Sequence, residues 1–330
     1  MTTVDRCGIY GWAHHVGGVA HFRITEPLRA FGGVSDGIRV AHGLDLTHET
    51  LDTYDTILAH GVHDPERTHI WHELAAFGKH RLVLDVDDAV WAPDFAPMRD
   101  HYLSDGNLQR LYDNVTVAHV VTTPSPVIAD HLSRWNRNVH VVPNTVPAWL
   151  LEHTPPARDL PTVGFQGSDS HIGDWTSSQK RHLQRFLGEH PDWALHTYGG
   201  HRVESDSDRI RHTGWCPDVE TYWRSVSMDV GIGPLRDSPF NRAKSDLRAR
   251  EYAALGIVAV LPDLPLYRGT VDDGVTGRLI QSHQTLSGVL REVCKDVDAL
   301  RHMQARARRH AQAFTTEANI ERWVTAWTSV

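Results

Sequence analysis

Residues 231–281 read GIGPLRDSPFNRAKSDLRAREYAALGIVAVLPDLPLYRGTVDDGVTGRLIQ. The apolar segment 226–233 predicts a strand that enters this stretch, and a loop containing Pro234 follows it. Lys244, Arg248 and Glu251 are spaced by four and three residues, which predicts a helix that carries them on one face. The apolar run 257–261 predicts a second strand. The stretch therefore predicts a strand, a loop, a helix and a strand of an α/β domain.

The chemistry of this stretch suits a nucleotide sugar. The first N–H groups of a helix are unpaired and carry partial positive charge, so a helix start beside Arg242, Lys244 and Ser245 favours a diphosphate. Glu251, two turns further along, has the acceptor oxygens to bind a pair of ribose or sugar hydroxyls. The sequence predicts a nucleotide-sugar site here.

The whole chain has the size and pattern of two α/β domains. At 330 residues it is long enough for two cores. Predicted strands and helices alternate in both halves, which indicates parallel sheets. The strands are 6–12, 56–60, 82–84, 117–122, 138–142, 163–165, 193–198, 226–233 and 257–261. The helices are 21–31, 70–77, 125–135, 174–187, 217–225, 244–255 and 316–328.

Five prolines in residues 143–161 predict a linker. We therefore expect a first domain over 1–150 and a second over 151–312. The last segment, 313–330, is expected to form an amphipathic helix.

Composition narrows the function. Residues 1–155 hold 11 Lys and Arg against 19 Asp and Glu, whereas residues 156–330 hold 22 of each. An acidic first half argues against a broad surface for nucleic acid or anionic membranes, and the basic run 301–309 is interpreted as a solvated helix face. No membrane span or secretory signal is predicted, and the three cysteines are scattered, so the expected location is the cytoplasm.

The stretch 234–256 resembles the donor-binding segment of GT-B glycosyltransferases, in the large retaining family that uses nucleotide sugars. The resemblance is to a bacterial and phage branch with the pattern FN-x-x-KS followed by EYAA-x-G. The matching positions are Pro234, Leu235, Asp237, Phe240, Asn241, Lys244, Ser245, Arg248, Glu251, Tyr252, Ala253, Ala254 and Gly256.

This resemblance implies a fold and a reaction. The implied fold is two Rossmann-like doubly wound domains facing a cleft, with the helix of residues 313–330 crossing back to the first domain. The implied reaction is transfer of a hexosyl or related sugar, with retention and without a metal or other cofactor, from a UDP- or GDP-sugar to a hydroxyl acceptor. The acceptor could be a glycan, a lipid-linked molecule, a protein or a modified DNA base. The family usually has a second glutamate eight residues before Glu251, where this chain has Ala243. The role of that glutamate is absent here or has moved to Asp237 or Asn241.

Two further segments resemble donor-side motifs of the family. Residues 164–174 resemble a phosphate-binding loop at Gly167, Ser168, His171 and Asp174, with Asp174 expected to orient His171. Residues 263–277 resemble a loop that lines the nucleotide pocket, where Tyr267 would pack near the base. An ordinary capped helix entry and a hydrophobic loop anchor are the alternative interpretations.

The first half contributes the expected acceptor side. The loop 11–18 and Arg23 resemble an acceptor-side loop, with Gly17 and Gly18 at its glycine-rich turn, although a plain strand–helix turn is also consistent. His60 ends a predicted strand and is the best single candidate for a hydrogen bond to substrate. Pairs of histidines such as His60 and His63 have zinc-like spacing, but dispersed surface histidines are the favoured interpretation.

The acidic segment Asp85-Val-Asp87-Asp88 is open to three interpretations. Closely spaced carboxylates bind divalent cations, so a metal-binding motif or a phosphotransferase nucleophile, with 272–273 as a second acidic pair, is conceivable. In the resembled branch an acidic pattern stands at this strand end. We favour Asp87 and Asp88 as metal-free contacts to sugar or acceptor, and capping of the loop is the alternative.

Overall fold

The chain folds into two compact units, seen in a computed structural model that describes residues 8–35, 37–94, 96–103, 106–168, 173–200, 202–203 and 205–329. Unit 1 comprises Met1–Thr145, Ala243–Ser245 and Thr316–Val330. Unit 2 comprises Val146–Arg242 and Asp246–Thr315. Each unit contains one six-stranded parallel sheet, as the alternating pattern predicts.

Unit 1 is a doubly wound α/β fold with the strand order β2-β1-β3-β4-β5-β6. Its strands are β1 (Ile9–Trp12), β2 (Val40–Gly43), β3 (Thr56–His60), β4 (Arg81–Asp85), β5 (Val120–Thr123) and β6 (Val139–Val141). Its helices are α1 (Gly18–Ala20), α2 (Glu26–Val34), α3 (His48–Thr53), α4 (Pro65–Phe77), α5 (Ala96–Leu103), α6 (Asn107–Val117) and α7 (Pro126–Leu132). A π-helical turn, His21–Thr25, joins α1 to α2.

The central strands of unit 1 are buried along their length, as expected for a sheet covered on both faces. Gly11 of β1 lies under the helical segment that follows. A Cβ atom at Gly11 would lie 2.7 Å from Leu28 Cδ1 and would also clash with Ile24, so glycine lets the helix pack closely on the sheet.

The last helix of the chain belongs to unit 1. This helix packs Trp323, Trp327 and Ile320 into the same core as Leu28 of α2 and Leu58 of β3. The Arg81 side chain of β4 donates a hydrogen bond of 2.6 Å to the carbonyl oxygen of Trp327. The first sheet is therefore covered partly by residues that are distant in the sequence.

Unit 2 repeats the architecture with the strand order β12-β11-β10-β7-β8-β9. Its strands are β7 (Thr162–Gly167), β8 (Ala194–Gly199), β9 (Ile210–Thr213), β10 (Val230–Ile232), β11 (Val258–Pro262) and β12 (Gly277–Ile280). Its helices are α8 (Ser177–Glu189), α9 (Val219–Ser225), α10 (Pro239–Arg242), α11 (Leu247–Leu255), α12 (Leu286–Cys294) and α13 (Val297–His310), and the helix of unit 1 that ends the chain is α14 (Thr316–Thr328). In the described part of the chain, 3-10 helices occur at Ala148–Leu151, Pro265–Tyr267 and Ala311–Phe314.

Several elements differ from the sequence-based expectation. The predicted helix 244–255 is wrong at its start, because α11 begins at Leu247 after the N-cap residue Asp246. The carboxylate of Asp246 pairs with Arg250 at 2.8 Å and accepts a hydrogen bond from Thr270. Asp246 therefore precedes the helix and does not form part of it. The predicted strand 226–233 is shorter, at Val230–Ile232. The strands β2, β9 and β12 and the helices α3, α5, α6, α10 and α12 were not predicted.

Other boundaries shift by a few residues. The predicted strand 117–122 begins only at Val120, because Val117 ends α6. The first strand begins at Ile9, and residues 1–7 lie outside the described part of the chain. Within the described residues, no helix has the length and apolar character needed to cross a membrane.

Candidate functional site

The topology of each sheet defines where a ligand is expected. In a doubly wound sheet, ligands bind at the carboxyl ends of the strands where the strand order reverses. In unit 1 this point lies between β1 and β3, and in unit 2 it lies between β7 and β10. The predicted site residues fall into two groups that correspond to these two points.

The first group lines a pocket in unit 1. The loops after β1, β3 and β4 contribute most of its wall, and its volume is about 430 Å³ including the open mouth. The lining residues are His14, His15, His60, Gly61, His63, Asp85, Val86, Asp87, Asp88, Val90, Tyr102 and Leu111. The pocket therefore lies where the fold predicts a ligand, and it includes the predicted residues His60, Asp87 and Asp88.

His60 and Asp87 form an ion pair at the base of these loops. His60 Nε2 lies 3.0 Å from Asp87 Oδ1, and His60 is 7% exposed. Burial opposes protonation of the ring, but the hydrogen bond and charge of Asp87, with the charge of Asp85, raise the pKa of His60. Burial likewise opposes ionisation of Asp87, but His60, Arg23 and Lys244 lower its pKa. Each member of the pair thus favours the charged form of the other.

Asp88 faces Lys244 instead. Lys244 Nζ lies 3.8 Å from Asp88 Oδ1, and both side chains are partly buried. Burial raises the pKa of Asp88 against the attraction of Lys244, and the neighbouring charge of Asp87 raises it further. Ser245, beside Lys244, accepts a hydrogen bond of 2.9 Å from Asn144 Nδ2. The short segment Ala243–Ser245 is thus part of unit 1, and Lys244 does not share a helix face with Arg248 and Glu251.

Asp85 is fully engaged in the interior of unit 1. The guanidinium of Arg23 donates to both carboxylate oxygens, with Arg23 Nη2 2.7 Å from Asp85 Oδ2, and Thr122 donates to the same oxygen at 2.5 Å. Arg23 also donates to the carbonyl of Val142 and to Asn144 Oδ1, and it is 1% exposed. Arg23, expected in an acceptor-side loop, therefore positions the β4 end rather than facing solvent.

A set of imidazole rings forms the other side of the pocket. The His63 ring lies 5.5 Å from that of His14 and 5.1 Å from that of His101, and the His15 ring lies 6.4 Å from that of His60. Burial, with the charges of His14 and His101, lowers the pKa of His63 to about 4. In the described part of the chain, no group of three or more His, Cys, Asp or Glu residues is arranged to hold a metal ion.

Glycine at position 61 permits this arrangement. Gly61 has a φ of 71°, and a Cβ atom there would lie 2.7 Å from His14 Cβ. A larger residue would push the two loops apart. Gly17 and Gly18, expected in the acceptor-side loop, lie at the start of α1 and are partly exposed.

The second group surrounds the end of β7 in unit 2. Glu251 of α11 is buried, and its carboxylate accepts from Trp223 Nε1 at 2.8 Å and from Gln166 Nε2 at 3.1 Å. Burial raises the pKa of Glu251 to about 7. The Arg248 guanidinium donates to the carbonyl oxygen of Gln166 and lies 5.1 Å from the centre of the Phe165 ring. Arg248 and Glu251 are thus both held by residues of β7, the strand that ends at Gly167.

The loop after β10 is joined to the loop after β7. Asn241 Nδ2 donates to Asp174 Oδ1 at 2.8 Å, and both residues are buried. The Arg236 side chain lies 3.7 Å from the same carboxylate. Gly167 ends β7 and is followed by Ser168, while His171 lies outside the described residues. The expected pairing of Asp174 with His171 therefore stays a prediction.

Two other predicted donor residues occupy contrasting positions. Arg242 is exposed and forms a two-pronged ion pair with Asp237, in which Arg242 Nη2 lies 2.7 Å from Asp237 Oδ2. Tyr267 is 3% exposed, and burial raises its pKa to about 12. Tyr267 is thus a core residue of unit 2.

Sequence reasoning missed several residues of both groups. His14, His63 and Tyr102 line the pocket of unit 1, and Gln166 and Trp223 hold Glu251. Gln166 lies near the end of β7, and His63 follows β3. Their position at the carboxyl end of a strand was the feature of the sequence that could have identified them. Trp223 lies on α9 and Tyr102 on α5, so only the tertiary fold brings them to these places.

The arrangement of both sheets matches known structures over nearly the whole chain. The structure is similar to that of HepE from Anabaena in complex with UDP-glucose, with a TM-score of 0.64 and 14% identity over 98% of this chain and 100% of that chain. It is also similar to sucrose-phosphate synthase from Thermosynechococcus elongatus, with a TM-score of 0.63 and 15% identity over 97% and 98% of the two chains. The chain has the GT-B fold. The expected fold class, two Rossmann-like domains, is confirmed.

A more partial similarity points to the same fold. The pneumococcal O-GlcNAc transferase GtfA, solved with UDP and GlcNAc, matches with a TM-score of 0.54 and 13% identity over 84% of this chain and 58% of that chain. The sequence itself matches no protein-family model and no curated protein.

Proposed function

We propose that the protein is a glycosyltransferase that moves a hexosyl or related sugar from a nucleotide diphosphate to a hydroxyl acceptor. The observation that carries this proposal is the group of polar residues at the switch point of unit 2. This group lies in a fold shared along the full chain with HepE, whose structure holds UDP-glucose. The switch point of a doubly wound sheet is the expected place for a nucleotide.

The donor is proposed to bind at the end of β7. Gly167 and Ser168 would approach the diphosphate, Arg248 would compensate its charge, and Glu251 would accept from hydroxyl groups of the ribose. Gln166 and Trp223 already hold the Glu251 carboxylate, so this group is oriented before the donor arrives. Asn241 and Asp174 tie the neighbouring loop in place.

The transfer step needs charge compensation more than an added base. As the bond from the sugar C1 to the diphosphate oxygen breaks, negative charge grows on the leaving group and positive charge on the sugar. Lys244 and Arg248 are proposed to stabilise that leaving group. The acceptor oxygen then bonds to C1, and its proton passes to the departing diphosphate. Attack on the face that the diphosphate leaves gives retention, and fixed cations make a metal dispensable.

Nucleotide binding and turnover test this proposal directly. We expect UDP or GDP to raise the melting temperature, and a panel of nucleotide sugars to include one from which the protein releases nucleoside diphosphate in the presence of a chelator. Arg248→Ala should weaken nucleotide binding by at least about tenfold, as expected for a lost charge-assisted contact. Arg301→Ala, an exposed residue of α13, is the matched control. Absence of binding and release across the whole panel would refute the proposal.

The competing proposal is a metal-dependent phosphotransferase that uses Asp85 and Asp87. The Asp85 oxygens accept from Arg23 and Thr122 in the interior, which is unfavourable for a nucleophile or a metal ligand. Activity that disappears with a chelator and with Asp85→Asn would favour this alternative. A binding protein without catalysis is the third possibility, and it predicts nucleotide affinity with no release from any donor.

A further inference from the structure

The pocket of unit 1 has a polar lining that is rich in carboxylates and imidazoles. Of its 12 lining residues, Val86, Val90 and Leu111 are aliphatic, and none is a lysine or an arginine. The cation that pairs with Asp85 is buried beneath it, and the cation nearest Asp88 lies on another segment, 243–245. The inner surface therefore presents carboxylates and imidazoles to a ligand.

The imidazoles on the wall can offer hydrogen-bond donors or acceptors, and one nitrogen of His63, Nε2, already lies 3.0 Å from His101 Nε2. Burial keeps the pKa of His63 at about 4 and lowers that of His14, so neither ring is charged at neutral pH. A neutral imidazole has one N–H donor and one nitrogen acceptor, as a hydroxyl group has a donor and an acceptor. Tyr102 keeps its proton because burial raises its pKa. Rings of this kind match hydroxyl groups without adding charge.

One polar atom in this wall lacks a partner. His60 is 7% exposed, its Nε2 is taken by Asp87, and its Nδ1 makes no hydrogen bond among the described residues. A buried polar atom without a partner costs free energy comparable to a lost hydrogen bond. Because His60 lines the pocket, a ligand hydroxyl is a suitable partner for this nitrogen after a small adjustment of the ring.

We infer that the acceptor is a neutral polyhydroxylated molecule, such as an uncharged sugar, whose hydroxyl groups bind His14, His60, His63, Asp87 and Asp88. The inference rests on the proposed function and assigns the acceptor class to the pocket of unit 1. A carboxylate accepts hydrogen bonds from two neighbouring hydroxyl groups at once, which is the pattern that adjacent sugar hydroxyls offer.

The same lining disfavours the other acceptor classes. A phosphate, sulfate or uronate group would have to compete with Asp87 for His60 and with Asp88 for Lys244, the cations with which these carboxylates already pair. A lipid chain would have to bury carboxylates and imidazoles without hydrogen bonds, which is costly. Residues 1–155 are also net acidic by eight charges, so long-range steering does not favour an anion.

A matched set of acceptors tests this inference. The probes are neutral methyl hexopyranosides, the methyl glycosides of the corresponding uronic acids, which carry a free carboxylate, and octanol. Each is offered with the donor that supports nucleoside diphosphate release. We expect saturation-transfer NMR to detect binding of at least one neutral glycoside, and its kcat/KM to exceed that of the matched uronate by about tenfold or more. Preferred transfer to the uronate or to octanol would overturn the inference.

Two substitutions of one pocket residue sharpen the test. His63→Leu should raise the KM for the neutral glycoside about tenfold, because a hydrogen-bonding group is lost, and should leave the Kd for UDP unchanged. His63→Arg should lower the preference for the neutral glycoside over the uronate by a similar factor. His69→Ala, on the exposed side of α4, is the control, and melting curves verify folding.

The outcomes separate the inference from the proposed function. If no nucleotide binds and no donor is cleaved, the proposed function fails. If donors are cleaved but no neutral glycoside is bound or glycosylated, the acceptor class is wrong while the proposed function stands. An unchanged acceptor KM in His63→Leu would also overturn the assignment of the acceptor to this pocket.

Discussion

The contacts of a residue in the structure indicate its role better than its spacing in the sequence does. The sequence brings Lys244, Asp87, Asp88 and His60 into one list of candidates, and the structure places all four in unit 1. The sequence cannot reveal that Asp85 is bound by Arg23, because those two residues are 62 positions apart. Which carboxylate is available to a ligand is therefore a property of the tertiary structure.

Glu251 predicts a specific dependence of stability on pH. Its pKa rises from 4.5 to about 7 on folding, so the folded protein binds more protons than the unfolded chain between these values. The free energy of unfolding should fall by up to about 3 kcal/mol as pH rises from 4.5 through 7. Glu251→Gln should remove this slope. Urea unfolding of both proteins at pH 5 and pH 8 measures the effect, and equal slopes would contradict it.

Lys244 is expected to act on the reaction rather than on folding. Lys244→Ala should slow transfer by ~2–4 kcal/mol of activation free energy, comparable to the loss of one donor that stabilises developing negative charge. Lys180→Ala, on the exposed surface of α8, provides the same change of residue type elsewhere. Steady-state kinetics with a saturating donor make the comparison. Near-normal turnover of the Lys244 variant would remove this residue from the catalytic step.

Elements are predicted well where their hydrophobic pattern is local and poorly where a distant partner decides them. The strand Thr56–His60 has the predicted bounds because it is apolar and buried throughout. The start of α11 was wrong because the spacing of residues 244, 248 and 251 fits a helix. The deciding interactions of this segment are with Asp88 and Asn144, which the local sequence does not show.

The ion pair between Arg23 and Asp85 joins the helical segment after β1 to the end of β4. Arg23→Ala should destabilise unit 1 by about 3–5 kcal/mol, because it leaves a buried carboxylate without its cation. Arg185→Ala breaks an exposed ion pair of α8 and should change the free energy of unfolding far less, because solvent screens that pair. Chemical denaturation followed by far-UV circular dichroism compares the two variants. Similar losses of unfolding free energy in the two variants would mean that the buried ion pair contributes no more to stability than the exposed one.

At the scale of the whole molecule, the two repeated sheets are what sequence reasoning captures best. Alternating strands and helices on both sides of a proline-rich segment predict two parallel sheets. The structure has one six-stranded parallel sheet in each unit. The assignment of residues 243–245 to unit 1 was beyond reach, because no local pattern separates three residues from their neighbours. The C-terminal helix was expected in a crossing position only through the family resemblance.

A fragment of residues 1–145 should fail to fold stably. It lacks α14, whose Trp323 and Trp327 are each at most 1% exposed in the core of unit 1. Loss of even one such buried tryptophan costs about 3–5 kcal/mol, a large part of the stability of a domain. Near-UV circular dichroism and amide hydrogen exchange of the fragment should show no fixed packing, and adding residues 316–330 through a flexible linker should restore it. A fragment without α14 whose amide hydrogens are protected from exchange would contradict this expectation.

The interrupted path of the chain governs how its halves can be exchanged with those of relatives. Unit 1 draws on three stretches of sequence, so a hybrid protein joined at a single point near residue 145 would combine a foreign Ala243–Ser245 and a foreign last helix with the native first sheet. Recombination that transplants all three stretches together keeps Lys244 opposite its own Asp88 and the tryptophans of α14 on their own sheet. Any exchange of one unit between such chains faces the same constraint.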